Sequence, residues 1–338
     1  MNILHLTQSY TAFLEKDCEV YTVTRGFSGY RDFIQHIKKT TYQILHIHTC
    51  KEETFGLYAF FARIYGVRVI ITMHNPSAFS YGYILKRLCA RFCISHTVCT
   101  SRYDLRMIDR YHIAKKTRRS IVYQGFTEQY AEDMSSKESA RSSIYKKIGV
   151  SFTKNIRMVG TILDTDEHTG IEHLVDMAYL ADMYKNLTNT IFVILARGSI
   201  STEVREQIAE TKVDGICFIV EFVTNPEEYI QAFDIYVSPR TSVGDLYILI
   251  AAIHMRVSCI ATKVGDTEEL ESYVAAPLVP IQSAKYLTEA LMYVIARSKE
   301  VVSRVGVRPA VLPRKFTQDG ERLALSNIYE RVGKSNKR

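Results

Sequence analysis

The chain has 338 residues, 47% hydrophobic and 23% charged, a balance that fits a folded globular protein and excludes a disordered or fibrous one. No apolar run reaches the roughly 18–20 residues of a membrane-spanning helix. The start, MNILHLTQSY, lacks the basic and apolar regions of a secretion signal, so the expected location is cytoplasmic. Net charge is +7 and unevenly placed: between Tyr81 and Ser120 ten Lys and Arg stand against two acids, Asp104 and Asp109. Such a local basic surface calls for an anionic partner.

In chain order, NILHLT, EVYTVT, YQILHIHT, VRVIITM, HTVCTS and RSIVYQG are short, apolar, β-branched or aromatic runs, each expected as a strand. Helical patterns fall between them at 31–39, 56–65, 81–92 and 102–111. Only QSYTAFLEKD separates the first two strands. A βαβ crossover takes at least about 10–12 residues, so this first helix is a stub or missing. A polar stretch, including DMSSKESARSS, follows from 127 to 154. The alternation then resumes: strand IRMVGTIL, helix 171–184, strand TIFVILA, helix 202–211, strand GICFIV, helix 226–233, strand DIYVSP, helix 246–255 and strand VSCIAT. A last strand near APLVPI precedes helices at 284–298 and 319–332. This order predicts an α/β protein with two doubly wound parallel sheets facing across a cleft. Its parts are an N-terminal Rossmann-like domain at 1–127, a linker region at 128–154 and a C-terminal Rossmann-like domain at 155–315. A terminal helix, 316–338, is expected to pack back on the first domain. Ligands of such sheets bind at the carboxyl ends of the strands, so function is sought in the loops that follow them.

Those loops carry a family resemblance. IHTCKEETFGLYAFFARIYGVRVIITMH resembles a strand-helix-strand ending in T-x-H, and SIVYQGF resembles v-I-p-N-G-v. IRMVGTILDTDEHTGIEHLVDMA resembles VGRL-x-x-x-KG-x-x-x-L-I-x-A with a longer spacer. DIYVSPRTSVGDLYILIAAIHMRVSCIATKVGDTEEL is similar to D-x-x-v-x-P-S-x-x-E-G-x-x-x-x-x-L-E-A-M-A-x-G-x-P-V-I-A-T-x-x-G-G-x-x-E-L. These pieces, in this order, are those of GT-B glycosyltransferases, specifically glycosyltransferase family 4. The resemblance implies retaining hexosyl transfer from a nucleotide-sugar donor to a glycan or lipid-linked acceptor. It implies no cofactor and no essential metal.

It also implies a donor site, and that site is altered. Active members neutralise the donor diphosphate with an Arg and a Lys, and use one Glu near the sugar and another on the ribose. At the matching positions this chain has Thr161, Thr169, Val243 and Ala251. Each lost charge-assisted contact is worth roughly 1.5–3 kcal/mol. Arg240, Arg197 and His168, beside Thr169, are the candidate substitutes; Gly244 and the glycines at 125, 160 and 265 match family glycines. His74, in ITMHNP, matches the histidine that lines the transfer site and is the candidate catalytic residue. Two readings stay open: a working transferase with an altered donor grip, in cell-envelope polysaccharide or glycolipid assembly, or a catalytically silent relative acting as partner or scaffold for an active transferase or membrane.

The remaining features have plainer readings. His46 and His48 alternate with apolar residues and are expected as packed, hydrogen-bonded histidines. The seven cysteines form no CxxC pair and are expected as small buried hydrophobes rather than a zinc site. Lys86, Arg87 and Arg91, with Lys115 and Lys116 further on, are expected to form a basic patch on the inner face of the cell membrane. No motif for nucleic acid accompanies it.

Overall fold

The computed structural model describes residues 3–7, 19–22, 30–49, 55–73, 92–110, 118–126, 137–150, 156–163, 170–183, 187, 189–244, 246–301 and 312–334. The strands are β1 (Ile3–Thr7), β2 (Glu19–Thr22), β3 (Ile44–Thr49), β4 (Arg68–Met73), β5 (Ile94–Cys99), β6 (Arg119–Ile121), β7 (Arg157–Leu163), β8 (Thr190–Ala196), β9 (Cys217–Val220), β10 (Ile235–Ser238) and β11 (Ser258–Ala261). The α-helices are α1 (Tyr30–Lys39), α2 (Phe55–Ile64), α3 (Arg102–Arg110), α4 (Lys137–Ile148), α5 (Ile171–Met183), α6 (Thr202–Glu210), α7 (Tyr247–His254), α8 (Ala284–Val301) and α9 (Gln318–Lys334). Two compact units divide the chain: Met1–Gly125 together with Arg314–Arg338, and Phe126–Pro313.

The first unit holds a parallel sheet in the order β2-β1-β3-β4-β5-β6. Parallel strands are covered on both faces and so read as continuous apolar runs. β4, buried at all six positions, is the clearest case. Successive side chains leave a strand on opposite faces. Leu4, Leu45, Val69 and Ile71 therefore meet Phe33 of α1, Tyr58 and Ala59 of α2 and Ile108 of α3 on one side. Ile3, Ile44, Ile70 and Val98 meet Ile328, Tyr329 and Val332 of α9 on the other. Each fully buried Ile or Leu contributes roughly 1.5–3 kcal/mol, so α9 is an integral layer of this unit. The Gly125 N–H donates to Glu321 at 2.8 Å and ties the helix to the strand end.

The second unit holds a parallel sheet in the order β11-β10-β7-β8-β9. Its core joins β7, β8, β10 and β11 with α5, α6 and α8. Part of the 128–154 stretch expected as a linker folds into α4. Ala140, Ile144 and Tyr145 bury against the unit, which a hydrophobic pattern that weak did not announce. The same helix supplies Lys137 Nζ, 2.7 Å from Asp234 Oδ1, and Arg141, which pairs with Asp234 Oδ2. The Met158 amide donates to that carboxylate at 2.9 Å.

Smaller departures have local causes. Pro226–Ala232 is a tight 3-10 helix opened by its proline rather than an α-helix. APLVPI contributes a single bridge, Val279 to Thr262, instead of a strand. The short first crossover, residues 8–18, and most of the expected helix at 81–92 lie outside the described residues. Among the described residues no helix is long and apolar enough to cross a membrane. Cys93, Cys99, Cys217 and Cys259 are buried free thiols, as expected. Burial pushes the Cys99 and Cys217 thiols up to about 12, so neither ionises at neutral pH.

Candidate functional site

In an open parallel sheet the chain leaves a crevice outside the carboxyl ends of the strands where the order reverses. The second sheet reverses between β7 and β10, and the first between β1 and β3.

At the β7–β10 reversal three segments converge. Gly170 opens α5 with φ +68. A Cβ at that position would overlap the Pro239 carbonyl oxygen, so a side chain there is excluded both by conformation and by space. The start of α5 therefore lies directly against the loop between β10 and α7. That loop is pinned from the far side by Thr262, which is buried. Its hydroxyl donates to the Arg240 carbonyl at 2.6 Å, and its amide donates to the Ser238 carbonyl at 3.1 Å. Thr267 in turn accepts the Val264 N–H at 2.9 Å and donates to the Thr262 carbonyl at 2.8 Å, which fixes the loop after β11.

The side chains expected to hold a donor are distributed unequally over this frame. Arg240 folds its guanidinium across Gly244, where any Cβ would collide with Nη2. The charge thus sits in the loop that leads from β10 into α7. Val243 is partly exposed in the same loop. Ala251 is fully buried within α7, and Thr161 is 1% exposed with no hydrogen-bond partner for its Oγ1 among the described residues. The Arg197 amide joins β8 to the Leu163 carbonyl at 3.2 Å, but its guanidinium pairs with Glu227 and reaches the Thr224 carbonyl at 3.4 Å. Arg197 is thereby occupied within its own edge of the sheet. His168, Thr169 and the candidate catalytic His74 lie outside the described residues, as do Lys86, Arg87, Arg91, Lys115 and Lys116.

The reversal of the first sheet is of another kind. β1 and β3 pair with His5 opposite His46 and Thr7 opposite His48. His5, His46 and His48 therefore share the α9 face. His46 is fully buried, with Nε2 2.7 Å from Thr72 Oγ1 and Nδ1 2.7 Å from the Tyr329 hydroxyl. A neutral imidazole has one donor and one acceptor, so it accepts from one hydroxyl and donates to the other. His5 Nδ1 lies 3.2 Å from His48 Nε2. The expectation of packed, hydrogen-bonded histidines on β3 holds. His5 was missed, although its position in ILHLT is the same alternation that exposes His46. Two strands along from β3, on β5, His96 Nε2 sits 3.0 Å from Ser120 Oγ and 3.3 Å from the Arg331 guanidinium. Burial holds His5 down at about 4. Burial and the Arg331 charge do the same to His96. Both rings are neutral at pH 7.

Comparison with known proteins follows the same division of the chain. Residues 18–129 match the model of Glycosyltransferase Family 4, and residues 153–297 match that of Glycosyl transferases group 1. No curated protein matches the sequence. Among solved structures, Anabaena HepE in complex with UDP and glucose is similar at TM-score 0.77 and 15% identity, over 98% of this chain and 99% of that one. A glycosyltransferase from Rickettsia africae is similar at TM-score 0.71 and 14% identity, over 95% and 86%. Sucrose-phosphate synthase from Thermosynechococcus elongatus is similar at TM-score 0.64 and 15% identity, over 93% and 80%. Identities this low establish the fold, and the two family models, which together span about three quarters of the sequence, establish the kinship. The chain belongs to the GT-B glycosyltransferases of the family-4-like group.

Proposed function

We propose that this protein moves a hexosyl group from a nucleotide-sugar to a glycan or lipid-linked acceptor in cell-envelope polysaccharide or glycolipid assembly, with retention of configuration and without an essential metal. The observation that carries this reading is the position of Arg240. A leaving diphosphate needs fixed positive charge and donors aimed at its oxygens. Arg240 supplies a fork of N–H groups in the loop that leads from β10 into α7, against Gly244. The HepE structures with UDP and glucose, and with UDP-glucose, support a nucleotide-sugar as donor for this fold. His74 would line the transfer site. The basic segment between Tyr81 and Ser120 supports docking on an anionic inner leaflet, which would bring lipid-linked acceptor to the protein.

A second reading rests on a separate observation. Ala251 is sealed inside α7, Thr161 is buried, and Arg197 is held by Glu227. A frame so depleted of charge is what a silent partner of an active transferase would retain. Calorimetric titration with UDP-, GDP- and CMP-sugars separates the two. The transferase reading expects micromolar binding of one donor class and, with a glycan acceptor, a product of retained anomeric configuration. Binding no tighter than millimolar across the whole panel would leave the silent reading in its place.

A further inference from the structure

We propose that His5, His46 and His48 form a binding site for a borderline divalent metal ion, of which Zn²⁺ is the probe, in the first unit at the reversal between β1 and β3.

The three rings each offer one nitrogen within 4.8 Å of the other two. Zn–N bonds of about 2.0–2.1 Å in a tetrahedron set neighbouring nitrogens about 3.3 Å apart. His5 Nδ1 and His48 Nε2, at 3.2 Å, already stand at that separation. In the metal-free chain one of these nitrogens must carry a proton and donate it to the other. Moving that proton to the far nitrogen of its own ring turns two lone pairs toward one point, and a cation there replaces the hydrogen bond.

His46 completes the set. Its ring centroid lies 5.1 Å from that of His5 and 4.2 Å from that of His48. It has a hydroxyl on each nitrogen, Thr72 on one and Tyr329 on the other. Whichever nitrogen turns to the ion, the other keeps a hydroxyl partner that fixes tautomer and ring plane, as the outer partners of metal-bound histidines do. Imidazole-only ligation suits Zn²⁺, Cu²⁺, Ni²⁺ and Fe²⁺ over Ca²⁺ or Mg²⁺. His48 is partly exposed at the strand end while His5 and His46 are buried, so the ion enters past His48. Once bound, it clasps the ends of β1 and β3 beneath α9.

The test uses the untagged full chain, stripped with chelator and titrated with ZnCl₂ by calorimetry. One Zn²⁺ per chain is expected. His48→Ala and His5→Ala abolish it. Cobalt added in place of zinc is expected to give the intense visible bands of a tetrahedral ion. X-ray absorption of the zinc-loaded wild-type chain, which needs no variant, is expected to show nitrogen and oxygen neighbours only. Failure of the folded wild-type chain to bind zinc stoichiometrically overturns the proposal. So does binding that survives both histidine variants, or sulfur in the zinc shell.

Discussion

The two sheets reverse their strand order in the same manner, yet the residues at the reversals differ in kind. Between β1 and β3 the chain crowds polar groups under α9: three histidines, Thr72 and the Tyr329 hydroxyl. Between β7 and β10 the matching positions are uncharged, with Thr161 and Ala251 buried and Val243 partly exposed, and Arg240 folds against Gly244. Backbone and side chains thus answer to separate demands. Gly170 and Thr262 are fixed by packing, whereas Val243, in the partly exposed loop, is under no such constraint.

Substitutions at the second reversal give the largest expected effects. Ala251→Glu buries an ion in α7. We expect it to destabilise by about 4 kcal/mol in urea denaturation, because nothing at a fully buried alanine solvates it. Val243→Glu, in the partly exposed loop, is expected within about 0.5 kcal/mol of wild type. Equal tolerance of both would mean that α7 sits differently. Gly170→Ala follows, at about 3 kcal/mol, from a left-handed backbone and the Pro239 carbonyl in the way.

Acid sharpens the comparison differently. His5 and His96 have folded pKa values near 4, below the ordinary 6.5. The unfolded chain therefore takes up protons first, and the stability their neutral forms permit is complete above pH 6.5 and lost between 6.5 and 4. The slope is up to about 1.4 kcal/mol per pH unit for each ring. For Asp234 burial raises the pKa, but hydrogen bonds from Lys137 and Met158 with the Lys137 and Arg141 charges outweigh it, and the net shift is downward. Its contribution is present above the ordinary value of 3.8 and fails only as pH falls through the depressed folded value. Hydrogen exchange read by peptide mass along a pH series is expected to show the first unit loosening at milder acidity than the second. Simultaneous loosening would contradict the assignment of the histidines.

A smaller effect than that of Gly170→Ala concerns the end of α7, where Arg256 adopts φ 58, in the left-handed region. Arg256→Gly is expected to stabilise by about 1 kcal/mol in the same denaturation assay.

These particulars also mark what was legible in the sequence. The run RVIITM announced a strand buried on both faces, and the alternation around it announced parallel sheets, because hydrophobic period reports burial directly. The donor motif was legible as a frame with missing charges, because each absent residue had a numbered place. The polar KESARSSIYKKI did not announce α4, whose position depends on Lys137 and Arg141 finding Asp234 some 90 residues on. The histidine cluster was illegible for the same reason. His5 and His46 are separated by 41 positions and meet only through strand register. Arg197 and Arg240 were both candidates in the sequence, and the structure sets the first against Glu227 and the second against Gly244.

That distinction gives the most direct test. Binding of the UDP-, GDP- and CMP-sugar panel is measured by calorimetry for the wild-type chain, Arg240→Ala and Arg197→Ala, each checked for native circular dichroism. We expect Arg240→Ala to weaken binding at least about tenfold, the loss of one charge-assisted contact, and Arg197→Ala to leave it near wild type. Wild-type affinity in Arg240→Ala, or no measurable affinity in the wild-type chain, would contradict the account.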